Sequence, residues 1–269
     1  MQEEAMLELI ESYLDAAPRS AADAEPVGKF TLFRPRGPWR YYARPRLGLA
    51  EPITAADVDV LRARQRELGL PQSIEWMYAA APSLAAAAEA AGLRVARYPL
   101  MILDVAARAS VAIPDGYEVR LLAPDDPDFG RAHAVAAVAF GAGGTQIGGE
   151  GAAERDARAA SGAVEELEFQ RRRASAGLSV SAVALDGGGP VAVGTHQPVG
   201  AVTEIVGVAT LPAARRRGLG AALTAVLVDD AFRRGVTSVF LSAGSDDVAR
   251  VYERIGFRRI GSVGSAEAS

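Results

Sequence analysis

Cysteine is absent from the 269 residues, which excludes disulfides, thiolate metal sites and thiol nucleophiles. Histidine is nearly absent: His133 and His196 stand far apart and match no metal-ligand spacing, so no metal is expected. Lysine is reduced to Lys29, which leaves basic charge to arginine. Neither sign of charge dominates, since 29 basic against 33 acidic residues give a net charge of −4. The chain as a whole therefore exerts no pull on nucleic acid or on an anionic membrane. No apolar run approaches the roughly 18–20 residues of a membrane span, and the acidic start MQEEAMLELIESYLDAAP is unlike a secretory signal. A soluble, cytoplasmic protein is the expectation, without nucleic-acid or membrane partners, and any anion site in it must be local.

What is present has the length of two domains. Glu3–Leu14 has helical apolar spacing, and short strands broken by Pro35, Pro38 and Pro45 follow. TAADVDVLRARQRELG reads as a helix with Thr54 at its N-cap, Asp57 three residues on and Gly69 closing it. A strand, a helix and a strand then run to about Ser110. In the second half, Asp128–Phe140 reads as a helix, Gly141–Gly151 as a flexible loop and the charged stretch Ala152–Ala176 as helical. Three strands in meander spacing follow, then helix, strand, helix and strand. Antiparallel strands followed by such alternation predict an α+β fold, a mixed and mostly antiparallel sheet flanked by helices. RELGLPQSIEWMYAAAPSLAAAAEAAGLRV also runs parallel to RRGVTSVFLSAGSDDVARVYERIGFRRI, so a tandem of two such units is expected, divided as 1–110 and 111–269.

The chemistry concentrates in VTEIVGVATLPAARRRGLGAALTAVLVDDAFRRG. A β-branched strand ends at Leu211-Pro212, because proline cannot continue the ladder. Gly218 and Gly220 then stand at the mouth of a helix, where unpaired N–H groups and the positive dipole end suit a phosphate. Glycine lets the backbone approach closely, and Arg215, Arg216 and Arg217 add charge-assisted donors. The segment lacks the other phosphate-loop signatures. Gly207 in mid-strand marks an expected bulge. If the register is not shifted there, Glu204, Val206, Val208 and Thr210 share one face.

EIVGVATLPAARRRGLG followed by VYERIGF resembles the GNAT family of N-acetyltransferases over roughly Tyr117–Val263. The resemblance implies that Arg215, Gly218 and Gly220 bind the pyrophosphate of acetyl-coenzyme A, with Arg216, Arg217, Leu219 and Ala221 supplying backbone donors. It implies a split between the fourth and fifth strands, where Val208, Ala209 and Thr210 offer main-chain groups to the pantetheine arm. It further implies Glu204, eleven residues before Arg215, as general base and Tyr252 as general acid to the thiolate. Ser245 stands where the family often has asparagine, and retains a contact to the arm. The implied reaction is direct transfer of an acetyl group from acetyl-CoA to a primary amine of a small molecule or peptide, by a monomer or homodimer. The alternative is a non-catalytic acyl-CoA-binding regulatory module. His196 reads as a hairpin residue, His133 as structural or as lining the acceptor pocket, and QRRRAS as a solvated helix end. The first half lacks the arginine–glycine motif and has Ala88 where Tyr252 would fall, so it should not bind coenzyme A.

Overall fold

The computed structural model describes residues 2–268. The chain divides into two compact units, one of Met1–Met101 with Ser242–Asp246 and Arg259–Ser269, the other of Ile102–Leu241 with Asp247–Arg258.

In the first unit, α1 (Gln2–Ala16) precedes a hairpin of β1 (Ala22–Val27) and β2 (Phe30–Pro35), turned at Gly28 with φ +55°. β3 (Ala43–Pro45), α2 (Ala55–Glu67), β4 (Ser73–Met77), α3 (Leu84–Ala90) and β5 (Arg94–Leu103) follow. β1, β2 and β3 are antiparallel, β3 meets β4 in parallel at Ala43 and Ile74, and β4 pairs antiparallel with the end of β11 (Phe257–Glu267). Phe30, Leu32, Leu61, Ile74, Trp76 and Leu84 fill the core between this sheet and the helices α2 and α3. Gly264 on β11 is dictated by that core, because a Cβ there would lie 2.3 Å from the Trp76 ring. The last strand is longer than FRRIGSV, continuing to Glu267 along β4.

The second unit contains β6 (Glu118–Leu122), α4 (Phe129–Gly141), α5 (Ala152–Ala160), α6 (Val164–Ser175), β7 (Val180–Asp186), β8 (Gly189–Val199) and β9 (Val202–Thr210). It continues with α7 (Leu219–Arg233), β10 (Ser238–Ser242) and α8 (Asp246–Glu253). The strand order is β6-β7-β8-β9-β10, antiparallel except for the parallel pair β9 and β10. The stretch expected to be helical from Ala152 to Ala176 is two helices, interrupted where Ser161-Gly162 ends α5. Consecutive buried residues along β7 and β8 are the pattern of strands covered on both faces, and both α4 and α7 pack on β8 and β9. Among the described residues no helix is long and apolar enough to cross a membrane, and no His, Asp and Glu cluster could hold a metal.

Candidate active site

β9 begins paired on both sides and ends paired on one. Its first residues join β10 through Val202 and Ser238, Thr203 and Val239, and Glu204 and Phe240. Beyond Glu204 the β10 pairing stops, while pairing with β8 continues to Thr210 and Ala192. The two parallel strands thus part at Glu204 and leave 205–210 as an inner edge, which is the expected split.

The bulge expected at Gly207 is present. Val206 pairs with Thr195 and Ala209 with Val193, so Gly207 and Val208 together oppose Gly194. Gly207 takes φ +62°, a left-handed conformation that glycine adopts without a Cβ clash. The extra residue shifts the register, so the four side chains do not share a face. Directly paired residues lie on one face, so Glu204 and Val206 go with Gln197, Thr195 and Ala209. Val208 turns to the α7 side, where its methyl groups approach Gly194 and Gly220. The main chain alternates as well. Leu211 N–H donates to Val191 O at 2.9 Å, so by alternation Ala209 directs its polar groups to β8 and the Thr210 main chain faces away from β8.

At Leu211-Pro212 the chain leaves the sheet through a single turn of 3-10 helix, Pro212–Ala214. Arg216 then takes φ +66°, the one positive φ outside glycine among the described residues. This conformation costs about 1 kcal/mol for an L-residue. Gly218 follows at φ +81° as the N-cap of α7, and no side chain caps that helix. The first ladder bond runs from Ala222 N–H to Gly218 O at 3.1 Å, so the N–H groups of Leu219, Gly220 and Ala221 lie before it without an intrahelical acceptor. Arg216, Arg217 and Gly218 are exposed, whereas Leu219 anchors the helix start in the core. Arg217 Nη1 donates to the Tyr117 hydroxyl at 2.6 Å. The Arg215 guanidinium is turned away from the helix start, onto carbonyls of residues 139–146 and Thr210.

Glu204 is half-buried at the point where the strands part. Tyr252 is buried on α8 with its ring edge-on to Phe257, centroids 5.8 Å apart, and burial pushes its phenol up to about 12. Ser245 is exposed immediately before α8, in the segment Ser242–Asp246 of the first unit.

His196 is a hairpin residue, paired with Ile205 of β9, but its side chain faces the interior. It lies inside β8, fully buried, with Nδ1 3.0 Å from Thr203 Oγ1 and Nε2 3.1 Å from Asp230 Oδ2. Burial lowers its pKa, so the ring is neutral; Nε2–H donates to the carboxylate and Nδ1 accepts from the threonine hydroxyl. Arg234 Nε also donates to Asp230, and with His196 it overcomes burial to hold that carboxyl below its ordinary value. The i, i+4 spacing of Asp230 and Arg234 is readable in sequence, but the histidine between strand and helix is not. His133 packs on Phe129, ring centroids 4.5 Å apart, and burial pushes it down to about 4. QRRRAS is not simply solvated: Arg173 is buried and Arg171 lies over the Phe129 ring, donating to Pro124 O.

Comparison with known proteins places this geometry. Residues 152–257 match the family model described as Acetyltransferase (GNAT) family. That match lies within the C-terminal half. A GCN5-related N-acetyltransferase from Kribbella flavida superposes with a TM-score of 0.72 at 21% identity, covering 97% of this chain and 95% of its own. A GCN5-related N-acetyltransferase-like protein from Streptococcus suis gives 0.57 at 14% identity, covering 99% and 98%. A tandem GNAT protein from the clavulanic acid biosynthesis pathway gives 0.56 at 18%, covering 90% and 79%. These likenesses extend the GNAT fold to the N-terminal half. No curated protein matches. Family and fold together indicate an acyltransferase.

Proposed function

We propose that the GNAT domain transfers an acetyl group from acetyl-CoA directly to a primary amine of a small molecule or peptide in the cytoplasm. The observation that carries this reading is the continuity of an open β9 edge with an uncapped, arginine-flanked helix start. The donor set fits the co-substrate: unpaired N–H groups and two exposed arginines suit a pyrophosphate, and the open β9 edge at Val208, Ala209 and Thr210 suits an amide-bearing arm. When bound, acetyl-CoA supplies an activated thioester carbonyl.

Glu204 is the group to take a proton from the acceptor ammonium, directly or through water, because it sits where the split begins. Tyr252 stays protonated at neutral pH and so donates a hydrogen bond toward the leaving sulfur. The acceptor enters beside the segment Phe129–Ala176. The N-terminal half, carrying Ala88 and no arginine–glycine turn, has no coenzyme A site of its own.

A panel of amines assayed by free-thiol release tests the reading. Glu204→Gln and Tyr252→Phe should each lower kcat with coenzyme A affinity retained. Normal turnover in both would refute the assigned mechanism. Coenzyme A binding by calorimetry without turnover of any amine would favour the regulatory module.

A further inference from the structure

The loop's most fully engaged side chain belongs to the residue that opens the motif. Arg215 donates from Nη1 to Gly143 O at 2.9 Å and Gln146 O at 3.0 Å, and from Nη2 to Ala139 O at 2.9 Å. Its Nε makes a longer bond, 3.4 Å, to Thr210 O. Carbonyls from the last turn of α4, the glycine-rich loop and the end of β9 thus converge on one guanidinium. Of its five N–H donors these contacts occupy four, which leaves little for a phosphate.

The main chain fastens the same segments. Gly148 N–H donates to Pro212 O at 3.2 Å, and Ala213 N–H donates to Glu150 O at 3.0 Å. Gly148 is required by this approach, since a Cβ there would fall 2.8 Å from the Pro212 Cβ. Gly143 and Gly144 take φ +63° and +58°, and such a path would be strained for any other residue. A segment that reads as flexible from its glycines is therefore tied at both ends of the turn that leads to α7.

We propose that Arg215 is a positioning residue that clasps the loop 141–151 onto the end of β9, rather than a phosphate ligand. The clasp sets the loop beside which the acceptor enters against the turn that holds the donor. In that functional sense it rests on the reading given above, but its structural content does not.

Hydrogen exchange of the full-length protein separates the two roles. Arg215→Ala should speed exchange of the 143–150 amides about tenfold or more, because the loop then opens locally. The same variant should raise the acceptor KM while changing the Kd for coenzyme A by less than about threefold. Arg215→Lys should resemble the alanine variant, since an ammonium lacks the planar, three-nitrogen fork that reaches these four carbonyls. Arg216→Glu should do the converse, losing coenzyme A with loop exchange unchanged. Should Arg215→Ala fail to fold, Gly148→Ala displaces the loop from Pro212 without altering charge and should give the same exchange signature. Unchanged loop exchange in the variants of both positions overturns the proposal. So does loss of coenzyme A by Arg215→Ala to the extent of Arg216→Glu with the loop unmoved. If the wild type binds no coenzyme A, the functional reading fails, and loop exchange still decides the clasp.

Discussion

Two helices of this chain follow a strand and a turn, and their first turns are completed in opposite ways. α2 is closed by its own sequence. Asp57 N–H donates to Thr54 Oγ1 at 3.3 Å, and Asp57 Oδ2 accepts from the Thr54 N–H at 2.8 Å and hydroxyl at 2.7 Å. Lys29 Nζ reaches the same carboxylate at 3.1 Å. The negative charge that a helix N-terminus attracts is thus built into the protein. α7 instead starts at a left-handed glycine without any side-chain cap, after a strained arginine, with basic rather than acidic neighbours. The same electrostatic demand is met by a side chain in one unit and by no side chain in the other. The strands ahead of the helices differ in kind too: β3 has three residues, β9 has nine with a bulge and an open inner edge.

The strongest test of this contrast is at the chemistry. Glu204→Gln keeps shape and hydrogen bonding but cannot take a proton, so kcat should fall on the order of 10²–10⁴-fold at neutral pH. Coenzyme A affinity, measured by calorimetry, should stay near the wild-type value, and a parallel loss of affinity would move Glu204 from base to cofactor contact. Next in size is Arg216→Glu, which places at α7 the sign of charge that α2 already carries. Coenzyme A binding should weaken roughly 10- to 100-fold, with circular dichroism unchanged. An undiminished affinity would mean that the turn is ornamental and that the two helix starts do not differ in function.

How much of this contrast the residues announce depends on whether the cause is local. The capping box is local: Thr54 and Asp57 three positions apart predict it, and it forms. The bulge is local as well, because a glycine in a β-branched strand has few other reasons to be there, and Gly207 takes the positive φ that explains it. The consequence of the bulge, with Val208 rotated to the α7 side, needed the pairing partners on β8. Arg215 shows the limit more sharply. Three of its four acceptors are carbonyls about 70 residues away in sequence, and a carbonyl leaves no signature in residue identity. His196 likewise meets Asp230 only after a strand and a helix have packed. Of the tandem, the strand–helix–strand similarity around Ala88 and Tyr252 was visible. The pairing of the chain's last residues, 263–267, with β4 was not, since sheet partners far apart in sequence are set by tertiary packing.

A smaller effect concerns where each unit keeps its carboxylates. Glu75 on β4 is pushed up to about 7, by burial and then by Glu267, against the opposing charge of buried Arg44. Its folded value lies above the unfolded one, so the folded state binds the extra proton. Stability should therefore decline as pH rises from about 4.5 toward 7, by on the order of 1–3 kcal/mol in all. Glu75→Gln should flatten that slope in urea titrations taken across the window. A slope unchanged in the variant would assign it to other groups and leave Glu75 ionised in the fold.

The smallest expected effect addresses the capped helix itself. Asp57→Ala removes half of the capping box and should cost about 1 kcal/mol at neutral pH, read as a fall in Tm of a few degrees. Hydrogen bonding from Thr54 is the main cause that holds the Asp57 carboxyl below its ordinary value. A depressed folded value means that the contribution is present above the unfolded pKa, about 4, and fades as pH falls through the folded one. The difference between wild type and variant should accordingly vanish in acid. Coenzyme A binding should not change, and calorimetry should still report one class of site. Appearance of a second class on opening the α2 cap would show that the first unit is silent only because its own carboxylate occupies the place of the phosphate. Its absence would put the cause in the short β3, which offers no edge for the rest of the cofactor.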